Sequence, residues 1–469
     1  MLAHVSDLKL QYLVELSKLG DRCAEMESDV AQWLVDEGFV YGERTIPFVI
    51  MPHFLSPRQQ RRLSGAVASI SPVLDRFCDA YCSDAQLRDE LGLSPDEDAL
   101  VRIDPGFAQP IRVSRLDAFL HGYDVKFLEF NTDSPAGMAW TDMLYEALRE
   151  KVDLPGVTEV FDTGYTPVLP EVVNTLLDAY RECREQWPDL PETPRLAVVD
   201  AAGAPTAAEF RLVCRFAEQA GLESVVATLD DLSYDGSRLV VKGDPAHLVY
   251  RRALLETLTE DSPLAIAARE RRAVVVNPFR VNVASNKKIL ALLQDERFEH
   301  LVTRREAETL AKTLPWTRIL RRGRTTYGDW RFELLSFVRE NRERLVLKPA
   351  SDYGGHGVML GMETDQDTWE AAIDEHADSG DFVVQEYVPI PEEMFPTIED
   401  GHVQMRLKRF NINPYCIGGR YVGMMTRISD QAVINVAAGG GILPSVVGRH
   451  KRQLLAEEDQ EPAEREAVG

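Results

Sequence analysis

RVSRLDAFLHGYDVKFLEFN, residues 112–131, has the pattern of a β-hairpin. Two runs rich in aliphatic, aromatic and β-branched residues, 112–120 and 125–131, flank His121-Gly122-Tyr123-Asp124, a set suited to a tight connection. Alternate side chains of a strand share a face, so Arg115 and Asp117 point together, as do Glu129 and Asn131. A loop of Gly122 to Asp124 sets Asp117 opposite Glu129 and Arg115 opposite Asn131. Two carboxylates, an amide oxygen and a guanidinium then meet on one face. Hard oxygen donors of this kind suit Mg²⁺, which also takes phosphate oxygens and water. The same alternation also describes a solvated sheet face with cross-strand salt bridges.

Further along, LVLKPASDYGGHGVMLG (345–361) predicts a strand ending at Lys348-Pro349, a loop with Gly354, Gly355 and Gly357, and a second strand. Glycines let backbone N–H groups approach phosphate oxygens, and Lys348 adds a point charge. Neither a Walker A motif nor GxGxxG is present, so the loop also reads as a plain turn. In FVVQEYV (382–388), Gln385 and Glu386 sit inside an apolar strand and require partners. An adenine edge is one; a buried structural hydrogen bond is another. Arg427 closes a later strand, followed by Asn435 and Gly439-Gly440-Gly441.

Outside these segments the chain is ordinary for a folded protein: 469 residues, 45% hydrophobic and 27% charged. Its formal net charge of −24 argues against a general nucleic-acid binder. It also requires that any phosphate site be built locally from a few cations. The six cysteines form no CxxC pair and no zinc spacing. Charges at Asp7, Lys9, Glu15 and Lys18 interrupt any signal core, and no run is long enough to span a bilayer, so a cytoplasmic protein without membrane contact is expected.

Periodicity predicts helices over most of residues 1–100, with a helix start at Ser56-Pro57 and an acidic, turn-rich segment at 84–99. The hairpin belongs to a segment 101–166. Alternating strands and helices over 167–280 predict a parallel α/β unit, with strands at 195–200, 224–229, 247–250 and 273–277. Segment 281–448 predicts helices at 286–295, 303–312 and 329–341 among further strands, and 449–469 reads as a disordered acidic tail.

In order, Arg115-Leu116-Asp117, Phe127-Leu128-Glu129-Phe130-Asn131, Ser285-Asn286-Lys287, Leu347-Lys348-Pro349, Tyr353-Gly354-Gly355, Val384-Gln385-Glu386-Tyr387-Val388 and Arg427 resemble the circularly permuted ATP-grasp proteins, the group containing glutathionylspermidine synthetase and its bacterial relatives. The resemblance implies an α/β (α+β) ATP-grasp fold, circularly permuted, with an inserted Rossmann-like unit and a helical N-terminal region. It implies ATP and Mg²⁺ as cofactors, with Asp117, Glu129 and Asn131 as metal ligands and Lys287 and Lys348 on the phosphates. Gly354 and Gly355 would form a lid, Gln385, Glu386, Tyr387 and Val388 would hold adenine, and Arg115 and Arg427 would face the transferred phosphoryl group. The implied reaction is ADP-forming carbon–nitrogen ligation of a small-molecule or peptide carboxylate to an amine through an acylphosphate. A phosphotransferase and a non-catalytic nucleotide-binding module are the alternatives. Ser134 and Arg251, with Arg252 and Glu209, are candidates for the acceptor pocket.

Overall fold

The computed structural model describes residues 2–352 and 355–451. Gly354 and most of the expected tail therefore lie outside the described residues. No helix among the described residues is long and apolar enough to cross a membrane.

The N-terminal region is helical, as its periodicity predicts. Helix Arg22–Asp36 buries Cys23, Met26, Val30 and Leu34, the 3–4 spacing of one face. Helix Pro57–Ala80 starts at a capping box formed by Ser56 and Gln59. Segment 84–99 differs from expectation. It holds two short helices, Ala85–Leu91 and Pro95–Val101, capped by Asp84 and by a Ser94–Glu97 capping box. The acidic residues that look like turn formers are partly cap residues.

An eight-stranded sheet carries the hairpin. Its main path runs His53–Leu55, Gly441–His450, Arg420–Ser429, His402–Ile417, Val113–His121, Asp124–Asn131, with two further strands attached off this path. The hairpin strands reach the expected pairing by an unexpected route. The loop is only two residues, Gly122-Tyr123, with His121 paired to Asp124 and Gly122 at φ +62°. That count alone would oppose Asp117 to Leu128. A shift between Asp117 and Ala118 leaves Leu128 as an extra residue, and Asp117 pairs with Glu129 and Arg115 with Asn131. The bulge thus sets which face Glu129 and Asn131 occupy.

The segment 167–280 contains a four-stranded parallel sheet in the order Val274–Val276, Leu248–Arg251, Leu196–Asp200, Ser224–Thr228. An antiparallel three-stranded sheet over 232–245, not foreseen, lies in the chain between the strands Ser224–Thr228 and Leu248–Arg251. Buried polar contacts pin this unit to the hairpin. Asn277 donates to the carbonyls of Val113 (2.6 Å) and Thr132 (2.7 Å), and its side-chain oxygen accepts from the Val113 amide (3.0 Å). Arg251 and Asp133 form an ion pair at 2.5 Å with side chains 0% and 1% exposed.

A smaller sheet, Thr317–Ile319, Phe382–Glu386, Leu345–Pro349, Met359–Leu360, is antiparallel. It has its own core of Trp316, Leu334, Val338, Leu347, Trp369 and Val384, distinct from the main core that joins the large and parallel sheets. The helix predicted at 329–341 is divided. Trp330–Glu333 pairs with Arg324–Tyr327 as a hairpin, and the helix is Leu334–Glu340, capped by Glu333. Apolar Trp330, Phe332, Leu334 and Leu335 fit either period at this length.

Removing one partner of a buried ion pair strands the other. Asp133→Ala is expected to lower unfolding free energy by about 3–5 kcal/mol, read as a shift in urea midpoint. A loss under 1 kcal/mol would show that the pair is not what fastens the parallel unit to the hairpin.

Candidate functional site

The large and small sheets enclose a cleft of about 180 Å³ whose walls include Arg115, Asp117, Glu129, Asn131, Lys348, Gly355, Gln385, Glu386, Tyr387, Val388 and Arg427. Residues more than 200 positions apart in the chain meet there.

Asp117 is the hub. It is 2% exposed. Arg115 Nε donates to its Oδ1 at 2.8 Å, and Arg427 Nη2 to its Oδ2 at 2.6 Å. Arg427 Nε also donates to Asn411 Oδ1 at 3.1 Å, and Arg115 Nη1 to the Ala136 carbonyl at 2.9 Å. Burial alone would raise the Asp117 carboxyl, but the two guanidiniums outweigh it and hold the pKa at about 2. Asp117 is therefore an anion throughout the neutral range. Beside it Asn131 Nδ2 lies 3.4 Å from Glu129 Oε1.

Lys348 reaches the same space from the small sheet. Its Nζ donates to Gln385 Oε1 at 2.6 Å and lies 3.4 Å from the Leu128 carbonyl. The bulge that sets the hairpin register thus also presents a backbone acceptor to this lysine. Gln385 Nε2 donates in turn to Thr317 Oγ1 at 3.0 Å. The Gln385 side chain is hence occupied in holding Lys348, the buried-hydrogen-bond alternative of the sequence. Burial pushes the Lys348 ammonium down to about 8, with Glu129 opposing the shift. Lys287 Nζ stands 3.8 Å from Glu129 Oε2 and donates to the Asp352 carbonyl. Glu386 is engaged by the Tyr327 hydroxyl at 2.6 Å and by the Trp316 amide at 3.4 Å.

The cleft wall carries three cations (Arg115, Arg427, Lys348) and three carboxylates (Asp117, Glu129, Glu386), and Lys287, 3.8 Å from Glu129, adds a positive charge beside it in a chain of formal net charge −24. Gly355 closes one side at φ +77°, and a Cβ there would lie 2.6 Å from Val433 Cγ1. Both conformation and space demand glycine.

A second cavity of about 480 Å³ adjoins the cleft and shares Arg115, Asn131, Arg427 and Asn435 with it. Ser134 and Arg252 line it; Arg251 does not. Successive strand residues face opposite ways, and Arg251 points inward to Asp133 and to the carbonyls of Asn277 and Ala253. Its expected place in the acceptor pocket is corrected to its neighbour. Glu209 is likewise buried. It accepts from the Gly137 and Ala139 amides at 2.9–3.0 Å, capping helix Met138–Lys151, whose N-cap glycine has no side chain to do so. Asp200 and the small-residue loop 201–206 complete the wall and were not singled out from the sequence. Their signal is present: the loop leaves the C-terminal end of a parallel strand, where open α/β sheets place ligands.

Residues 53–439 match the family model described as glutathionylspermidine synthase preATP-grasp. The chain is 22% identical over 462 residues to the ATP-grasp enzyme ankG of Aspergillus thermomutatus, spanning 87% of this chain and 90% of that protein. Among solved structures, a glutathione synthetase-like effector, GSS30, from Globodera pallida in apo form superposes with TM-score 0.57 at 13% identity, over 90% of this chain and 96% of that one. A putative gamma-glutamylcysteine synthetase from Methylobacillus flagellatus gives TM-score 0.42 at 11% identity, over 85% and 90%. The mixed α/β fold is of the glutathione synthetase-like ATP-grasp type, and the family supports an ATP-dependent ligase in general terms. With 387 of its residues (439 − 53 + 1) under one model, the chain belongs to the glutathionylspermidine synthase preATP-grasp family.

Proposed function

We propose that the chain is an ATP- and Mg²⁺-dependent ligase that joins a small-molecule or peptide carboxylate to an amine through an acylphosphate. The observation that carries this reading is the shared wall of the two cavities. Arg115, Asn131, Arg427 and Asn435 face both the cleft and the larger cavity, so groups bound in the two cavities meet at these side chains. The metal hairpin preceding the nucleotide segment is the chain order of a circularly permuted ATP-grasp protein.

ATP occupies the cleft. Its phosphates meet Lys287 and Lys348, its adenine the backbone at 386–388, and the glycine loop covers it. Gln385 acts on the phosphates through Lys348. The donor types suit Mg²⁺: two carboxylates and an amide oxygen on one sheet face. Asp117 is clasped by two guanidiniums, whereas the Glu129 side chain is 34% exposed toward the cleft. When bound, the ion neutralises phosphate charge. In the larger cavity a substrate carboxylate oxygen attacks the γ-phosphorus. The bond to the β,γ-bridging oxygen breaks, ADP leaves, and Arg115 and Arg427 balance the charge on the transferred group. An amine then attacks the acyl carbon, the carbon–oxygen bond to phosphate breaks, inorganic phosphate departs, and the nitrogen loses a proton.

Glu129→Gln is expected to reduce ADP formation by about 10²–10³-fold with a near-unchanged melting temperature. Asp117→Asn is expected to lose activity and also some stability, because two buried guanidiniums lose their counter-charge. Full Glu129→Gln activity at saturating Mg²⁺ sinks the metal assignment. A phosphorylated product without inorganic phosphate release marks a phosphotransferase instead.

Lys348→Ala should weaken ATP binding by at least about tenfold while shifting the melting temperature little, since a buried ammonium already carries a desolvation cost. Calorimetric titration and thermal melting separate the two. A large drop in melting temperature with unchanged nucleotide affinity would make Lys348 structural.

A further inference from the structure

A second cationic feature lies away from the nucleotide cleft. Five arginines, Arg318, Arg321, Arg322, Arg324 and Arg331, fall within 14 residues of a chain whose net charge is −24. With Arg297 they line a groove of about 620 Å³ that holds only two carboxylates, Asp295 and Glu296, on its wall. The groove runs between the 291–297 segment, whose apolar residues belong to the main core, and the 318–334 segment of the small unit.

Half of these arginines have structural work. Arg297 pairs with Asp295 at 2.6 Å and Glu90 at 2.5 Å, Arg321 with Glu90 at 2.8 Å, and Arg322 with Asp378 at 2.9 Å. The other half do not balance their charge this way. Arg318 donates to Thr325 Oγ1 and to the carbonyls of Thr317 and Thr326, neutral acceptors that fix its position. Arg324 and Arg331 have no carboxylate within 4.0 Å among the described residues. The register pairs Arg324 with Glu333 and Arg331 with Thr326, so both guanidiniums leave the same face of the hairpin. The opposite face carries Tyr327 and Phe332 into the core of the small unit, which fixes that orientation.

Guanidinium forks match phosphate oxygens two at a time. Arg318 on one strand and Arg324 and Arg331 on a neighbouring hairpin offer several such forks, which linked phosphates can use together. The chain's net charge of −24 disfavours a long polyanion more than a short one. We propose that this groove binds a small oligophosphate, an anion of two or more linked phosphates, at a site separate from the nucleotide cleft.

Tripolyphosphate titrated calorimetrically into the full chain at low salt tests this. Binding is expected to persist in Lys348→Ala, whose nucleotide cleft is impaired. It should weaken at least about tenfold in the Arg324→Gln/Arg331→Gln double variant, whose melting temperature and ATP affinity stay near those of the parent. Binding that survives the double variant but disappears in Lys348→Ala overturns the proposal, because the nucleotide cleft would then account for the phosphate binding. Binding of a short RNA by the parent without binding of tripolyphosphate overturns it equally.

Discussion

The site depends on one buried anion. Asp117 draws Arg115 from its own strand and Arg427 from the strand Arg420–Ser429, and through Arg427 it draws in Asn411. Burial opposes both guanidiniums; Asp117 and Glu129 outweigh it at Arg115 but not at Arg427, which is the less compensated cation. Lys348 shows the same logic: its lowered pKa records an ammonium held out of water with too little counter-charge. A bound triphosphate would relieve both. The chain's strongly acidic composition makes this concentration of cations a local construction.

The larger cavity is held in shape by contacts with no chemical part in the reading above. Glu209 caps the helix that begins at Gly137, and Gly137 itself lacks room for a side chain, since a Cβ would stand 2.8 Å from Met425 Sδ. Asn277 and Arg251 tie the parallel unit to the ends of the hairpin strands. The parallel unit on one side of the cavity and the hairpin on the other are therefore fastened to each other by buried contacts.

Much of this was legible in residue order. Period-two alternation placed Arg115 with Asp117 and Glu129 with Asn131, and the structure sets them opposite one another. Parallel strands and the segments around Lys348 and Gln385 were equally readable. What escaped was orientation and company. Arg251 and Arg252 are adjacent, and only the packed sheet decides which faces the cavity. Gln385 looked like a nucleotide contact because a polar residue in an apolar strand needs a partner; its partner is a lysine from the neighbouring strand. Asp200 carried no motif, and its importance comes from the strand end it occupies. The 324–333 hairpin escaped because its apolar spacing also satisfies a helix.

The Leu128 bulge has a consequence for how this chain can vary. Twelve positions separate Asp117 from Glu129 (129 − 117), and the two-residue loop accounts for them only with one residue out of step. At this spacing a two-residue turn delivers the acidic pair only with one residue bulged, whereas a three-residue turn would deliver it from regular strands. Loss of Leu128 alone would also keep Asp117 opposite the glutamate, because the two-residue turn and unbulged strands are then in step. The same acidic face is thus open to hairpins of more than one length, and it is the register rather than the residue count that preserves it.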